Sequence, residues 1–329
     1  MTNYEILVML KKLLKISSST KNITVCYRNS GFGDNLFQAA CSWLFSKNND
    51  RDLLINWSNS RYLTNKKINS FFYFFEIDEV IDGVKVIKLT DVNLFLKLRS
   101  IGFMNIAITL TYRLLMKINF KAKFLYSLKD NYYRRAIEKE KKILGSLNNI
   151  NRIVFIRGCH HNFSKDLKPF FDSLKPAKFI DEKIDKYTKQ NFEGFFTIGL
   201  HIRYYNKAMY RSDYSEMWEN ESECLNQIKN KIKEVLSNYN LDNIRLFLAT
   251  DSSVTHEFIN KNFDNVISYN KDFGNDVSKE LHDQLPSETA EASIIEMFLL
   301  SRCDLLVRLP ADSWFSYYAS LYTETFKFN

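Results

Sequence analysis

The stretch Phe195–Arg203, FFTIGLHIR, decides the fold. It is a short apolar run that ends in a charged residue, and such a run reads as a strand buried inside a helix-covered sheet. Downstream the same rhythm continues. A polar helix is expected over 219–238, then the strand IRLFLATD (244–251), a helix from Ser252 to 263, and the short strand VISY (266–269). A long helix follows over 287–303, with Ser287 and Glu288 at its start, where a capping hydroxyl and an early acid are favourable. The strand DLLVRL (304–309) and a helix in SWFSYYASLY (313–322) close the series. Alternating strands and helices of this kind build a parallel α/β domain.

Upstream the pattern repeats. ITVCYR (23–28) reads as a strand, SGFGDN (30–35) as a glycine-containing turn, LFQAACSWLFSKN (36–48) as a helix and LLINW (53–57) as a second strand. FFYFFEIDEV (71–80) is expected to be an aromatic loop before the strand VKVIKL (84–89), and RIVFIR (152–157) is a further strand. A chain of 329 residues exceeds what one core usually serves, ~250–300 residues. The expected organisation is therefore α/β with two Rossmann-like domains, 1–175 and 176–329, and the linker falls in a loop bearing Pro169 and Pro176. A basic helical insertion occupies about 92–145. It reads either as an ordinary solvated layer or as a surface resting on anionic lipid.

Composition narrows the function classes. A formal charge of +8 suits a phosphate-rich partner: a nucleotide sugar, a membrane surface or nucleic acid. Neither an RNA-stacking arrangement of aromatics nor a basic zinc-finger or homeodomain pattern is present, so nucleic acid is not the expected partner. The five cysteines, at 26, 41, 159, 224 and 303, form no C-x-x-C, which fits a reducing compartment and neither a disulfide framework nor a zinc site. Ile6–Ile16 is short and broken by lysines, unlike a signal peptide, and no run reaches the ~18–20 apolar residues of a spanning helix. The expected location is cytoplasmic, with peripheral contact at the inner face of the membrane.

Ligands of open parallel sheets bind at the C-terminal ends of strands, and four features fall there. Gly31 and Gly33, in Ser30–Asn35, permit a tight turn and close approach to a ligand. The spacing matches neither G-x-G-x-x-G nor a P-loop, and a plain turn is the alternative. His201 and Arg203 end the FFTIGLHIR strand. A guanidinium fork suits phosphate oxygens, Lys207 adds a point charge four residues on, and an Arg paired with a core carboxylate is the alternative. Asp251 ends a strand where it can accept from a guanine N1–H/N2–H₂ edge, or can simply cap the next helix. Asp312 and Ser313 lie in the turn LPADS before the last helix, placed either for phosphate or for capping.

In their order, these stretches resemble the nodulation-type (NodZ-like) fucosyltransferase family, which is related to α1,6-fucosyltransferases and protein O-fucosyltransferases. SGFGDNLFQAACSWLFSKNNDRDLLINWSNSRYL is similar to that family's glycine turn, helix, strand and W-x-x-S-x-Y, and NSFFYFFEIDEV to its aromatic segment. IGLHIRYYNK, LFLATDSS and LLSRCDLLVRLPADSWFSYYA resemble its three donor motifs. The resemblance covers roughly half the chain and leaves residues 90–150 aside.

It implies a GT-B fold, two Rossmann-like domains facing across a cleft, with an acceptor-side N-terminal domain and a C-terminal donor domain. It further implies GDP-fucose as donor, inversion at the anomeric carbon and no metal cofactor. Arg203 would hold the β-phosphate, His201 and Asp251 would face the guanosine, and Ser313 with Asp312 would help bind the diphosphate. Tyr62 would approach the nucleotide from the other domain. Relatives often carry two consecutive arginines, whereas this chain has Arg203–Tyr204, leaving Lys207 or Arg211 to substitute. Some relatives place a Glu eight residues after the key Arg. That position is Arg211 here, so Asp213, Glu216 and Asp34 are the candidates for the catalytic base. The sequence is read as offering no D-x-D to hold Mg²⁺ or Mn²⁺ against a diphosphate, so Arg and Lys must neutralise the leaving group. The expected acceptor is an oligosaccharide or a lipid-linked saccharide. The competing readings are another nucleotide-sugar donor, or a non-catalytic module that binds nucleotide sugar or glycan at a membrane.

Overall fold

A computed structural model describes residues 22–26, 31–57, 62–63, 65, 68–88, 123–125, 153–156, 165–203, 221–239, 242–273, 286–309 and 313–327. Lys207, Arg211, Asp213, Glu216, Asp312 and most of the basic insertion lie outside these residues. The chain divides into two compact units, Met1–Ala177 and Lys178–Asn329.

In the first unit, the described elements are β1 (Asn22–Cys26), α1 (Phe32–Asn48), β2 (Arg51–Ile55), α2 (Ser70–Phe74), β3 (Phe75–Ile77), β4 (Val80–Ile81), β5 (Val84–Ile87), β6 (Lys123–Leu125), β7 (Ile153–Ile156), α3 (Lys168–Asp172) and β8 (Leu174–Pro176). Six strands form one sheet in the order β4-β5-β2-β1-β7-β6. Its pairs are parallel apart from β4 with β5, and β3 with β8 forms a separate antiparallel ribbon.

Three sequence expectations change here. The glycine turn is not a turn. Gly31 is the N-cap of α1 with φ −54°, and Gly33 and Asp34 already belong to the helix's first turn. Neither glycine uses a left-handed backbone; among described glycines only Gly83 and Gly194 do. The aromatic segment is not a loop either, because Asn69 organises it. Its Oδ1 accepts from the N–H groups of Trp57 (3.0 Å) and Phe71 (3.2 Å), and its Nδ2 donates to the Ile55 carbonyl (2.8 Å). The segment then enters α2 and β3, burying Phe71, Phe74 and Phe75 around Trp57 and Phe32. Finally, the stretch with Pro169 and Pro176 is ordered structure. Pro169 sits in the first turn of α3, where its missing N–H costs nothing, and Pro176 ends β8.

The second unit contains α4 (Lys178–Asn191), β9 (Phe196–Ile202), α5 (Glu221–Ser237), β10 (Ile244–Thr250), α6 (Ser253–Asn262), β11 (Val266–Ile267), α7 (Pro286–Leu300), β12 (Leu305–Leu309), α8 (Trp314–Tyr317) and β13 (Glu324–Thr325). The sheet order is β11-β10-β9-β12-β13, all parallel. The last helix is shorter than its sequence suggests, since Ala319–Leu321 turns as a 3-10 helix instead.

Strand alternation assigns the two faces. Ile198, Leu200 and Ile202 join Leu246, Leu248, Leu305, Val307 and Leu309 in one core with Ile228, Ile232 and Val235 of α5 and Ile259 of α6. The opposite face of β9 carries Thr197, Gly199 and His201. Gly199 is a packing requirement: a Cβ there would lie 2.9 Å from Cys303 Sγ and 3.0 Å from Leu300 Cδ2, at the end of α7. Gly199→Ala is expected to destabilise the protein by about 1–3 kcal/mol through overpacking, read as a lower urea midpoint with an unchanged slope.

The strand order reverses beside β9. The chain moves from β9 outward to β10 and β11, then returns to lay β12 on the other side. Ligand crevices of open sheets form at such a switch point, at the C-terminal ends of the two adjacent strands where the order reverses. Here those ends are Ile202 of β9 and Leu309 of β12, which pair in register.

Candidate functional site

Four of the sequence candidates, His201, Arg203, Asp251 and Ser313, lie at or just beyond the C-terminal ends of β9, β10 and β12. Arg203 follows β9 directly and remains tied to the sheet, its N–H donating to the Leu309 carbonyl at 2.9 Å. Its side chain is half exposed. Its Nε lies 4.0 Å from Asp251 Oδ2, the outer limit of an ion pair and too long for a hydrogen bond. Asp251 is itself 49% exposed, so it is no core carboxylate compensating a buried arginine.

Two capping alternatives are removed. Ser252, not Asp251, is the N-cap of α6, and its Oγ accepts from the Thr255 N–H at 3.2 Å. Ser313 occupies the N-cap position of α8 but makes no side-chain capping bond.

His201 is 6% exposed and stacks on Phe315, with ring centroids 5.0 Å apart and planes at 25°. Burial pushes its pKa down to about 3, and the charges of Arg308, Arg203 and Lys271 push the same way. The imidazole is therefore neutral near pH 7, and its Nδ1 is buried without a hydrogen-bond partner. A neutral ring locked between a strand end and α8 is suited to shaping a ligand wall and donating or accepting one hydrogen bond. It does not supply charge.

Sequence reasoning missed three charged groups of this region. Arg308 pairs in register with His201 across β9 and β12. Its Nε donates to Ser316 Oγ at 3.0 Å and its Nη2 to the Ser313 carbonyl at 2.9 Å. The legible signal was a lone cation near the end of an apolar strand, the same signal that singled out Arg203. Glu296, a lone acid in the apolar run SIIEMFLL, accepts from Lys271 Nζ through both carboxylate oxygens, at 2.6 and 2.7 Å. The two side chains are 7% and 4% exposed. Burial pushes the Glu296 carboxyl above its usual value while Lys271 opposes that shift.

The first-unit candidates stand differently. Tyr62 is 2% exposed, its ring edge-on to Phe32 at 5.7 Å, so it packs in the core of the first unit. Asp34 is partly buried in the first turn of α1, where the helix favours an acid. Among the described residues, an added Cβ at Gly31 would meet only Asp34 Oδ2 at 3.7 Å, an ordinary contact.

Among the described residues no group of three or more His, Cys, Asp or Glu could hold a metal. The chain does contain one D-x-D, Asp50–Arg51–Asp52. It stands at the start of β2, the edge away from strand C-termini. Arg51 and Asp52 are buried there and Asp50 holds a left-handed turn. It offers no exposed carboxylate pair to a ligand at the strand ends. Among the described residues, too, no helix is long and apolar enough to cross a membrane.

The architecture is that of solved fucosyltransferases. The chain superposes on an α-1,6-fucosyltransferase, NodZ, co-crystallised with GDP, with a TM-score of 0.66 at 22% identity over 93% of each chain. The same enzyme soaked with GDP-fucose gives 0.64 at 22% identity, over 92% of this chain and 93% of that one. In sequence the chain is 30% identical over 308 residues to nodulation protein Z of Bradyrhizobium diazoefficiens, covering 93% of this chain and 80% of the relative. It is 27% identical over 301 residues to the Azorhizobium caulinodans protein, covering 90% and 88%. Residues 20–329 match the model of the nodulation protein Z family, and the chain belongs to that family.

Proposed function

We propose that the chain is an inverting, metal-independent fucosyltransferase of the GT-B class that moves fucose from GDP-fucose to a glycan or lipid-linked glycan. The single observation that carries this reading is the match over residues 20–329 to the nodulation protein Z family, whose structurally similar α-1,6-fucosyltransferase is known with GDP and GDP-fucose. Unit two is read as the donor domain and unit one as the acceptor-side domain, both Rossmann-like. Arg203 binds the diphosphate, with Lys207, Asp312 and Ser313 assisting. Asp251 binds the guanine edge, a reading supported by its release from capping duty. His201 forms a neutral wall beside them. Gly31 and Gly33 border the ligand from unit one.

Inverting transfer needs a carboxylate within hydrogen-bond reach of the acceptor hydroxyl. Asp213 and Glu216 remain the candidates from sequence, with Asp34 the third. Charge on the departing GDP is neutralised by arginine and lysine instead of a divalent cation. A cytoplasmic enzyme touching the membrane through residues 92–145 suits a lipid-linked acceptor.

The test is donor selection. Calorimetry with GDP, and transfer or hydrolysis assays with GDP-fucose against UDP- and CMP-sugars, are expected to show GDP binding and turnover of GDP-fucose alone. Absence of GDP binding rejects the donor assignment, and GDP binding without turnover on any acceptor favours a non-catalytic module.

A further inference from the structure

We infer that Arg308 supplies the second positive charge of the donor site, set in place by the Ser313 carbonyl and Ser316 Oγ to face a nucleoside diphosphate beside Arg203. The inference rests on the donor reading above and adds to it a residue that none of the donor expectations includes.

Three observations converge. The first is position. Arg308 is the penultimate residue of β12, in register with His201, on the two adjacent strands at which the strand order reverses. Arg203 donates its backbone N–H to Leu309, the very next residue. The two arginines therefore flank one crevice from its two sides.

The second is fixation. Arginine side chains lose considerable freedom when they bind, and a guanidinium already held costs less to use. Nε on Ser316 and Nη2 on the Ser313 carbonyl tie the Arg308 guanidinium to the N-terminal end of α8. His201 stacked on Phe315 contacts the same helix from the neighbouring strand.

The third is electrostatic. Arg308 exerts the largest charge effect on His201, ahead of Arg203 and Lys271. Lys271 has its charge answered by Glu296 inside the protein. A dianionic ligand at these strand ends would meet that positive field. A charged guanidinium adds to that field even while two of its N–H groups bond the protein.

The test compares wild type, Arg308→Gln and Arg308→Lys for binding of GDP and of guanosine by calorimetry. Glutamine keeps a donor for the Ser313 carbonyl and removes the charge. It is expected to weaken GDP by about tenfold, a loss of about 1.4 kcal/mol, with guanosine unchanged and a shallower salt dependence of GDP binding. Lysine keeps the charge and is expected to stay within about threefold of wild type. The inference is overturned by GDP affinity in Arg308→Gln equal to wild type, or by equal losses for GDP and guanosine, which mark a purely structural role. A loss in Arg308→Lys as large as that in Gln also overturns it, and that variant decides the matter if Arg308→Gln does not fold. Wild-type protein that binds no GDP rejects the donor reading itself, a different result from wild type binding GDP and Arg308→Gln binding it equally well.

Discussion

Arg203→Ala is expected to lower kcat/KM for transfer from GDP-fucose by about 10²–10³, the range seen when one preorganised donor is taken from a developing oxyanion. Its thermal unfolding is expected to stay within about 0.5 kcal/mol of wild type. The asymmetry follows from the side chain's setting. Arg203 is half exposed, and its pair with an equally exposed Asp251, at 4.0 Å, is of the surface kind that contributes about 0–1 kcal/mol. Its backbone bond to Leu309 survives the substitution. Arg203→Lys is expected to recover only part of the rate, because an ammonium lacks the fork that grips two phosphate oxygens. Steady-state kinetics with a parallel melting curve checks both halves. Near-normal turnover in Arg203→Ala means that the phosphate clamp lies elsewhere.

Lys271→Met has the opposite profile, a large loss of stability. Removing the ammonium leaves the Glu296 carboxyl, 3% exposed, without the partner that holds both its oxygens. Breaking one side of a buried pair costs about 3–5 kcal/mol. That is a large share of the ~5–15 kcal/mol that holds a typical domain folded.

The loss has a definite pH dependence. Burial already raises the Glu296 carboxyl, and without Lys271 its folded value rises further above the unfolded one. A carboxyl raised on folding binds its proton more tightly in the native state, so its contribution is retained at low pH and lost as pH rises through the folded value. The deficit of Lys271→Met is therefore expected to be smaller near pH 5 than near pH 8. Lys271→Met combined with Glu296→Leu is expected to recover most of it. Urea unfolding at the two pH values tests this. A deficit independent of pH, or a double variant no better than the single, contradicts the ion-pair account.

The parts that were legible in sequence and the parts that were not differ physically. β9, β10 and β12 are largely buried on both faces, so each shows as a mostly apolar run, and the polar residues just past β9 and β10 stood out at once. The start of α1 was obscured because Gly31 and Gly33 are poor helix formers that read as a turn; the helix beginning at Phe32 draws its stability from a buried face instead. α2 and β3, five and three residues long, are shorter than any periodicity can register, and Asn69, which organises them, bonds partners 12 and 14 residues away.

In the site, Asp251 and Ser252 stand side by side, and only coordinates decide which one caps. Arg308 was overlooked because its importance depends on pairing with His201 across strands. Lys271 and Glu296 meet across 25 residues, with no local pattern to announce them.

The central place of β9 has a further consequence for biosynthesis. The strand leading into His201 and Arg203 emerges from the ribosome with one edge awaiting β10 and the other awaiting β12. Thr197, near its start, is anchored by the Asp304 carboxylate 107 positions later, at 2.7 Å. At a synthesis rate of about 5–20 residues per second, the strand waits roughly 5–20 s for that partner. For that interval the future ligand edge of β9 is an open template for pairing with other chains. Thus, the segment at the proposed donor site is also one on which a nascent chain depends for chaperone cover.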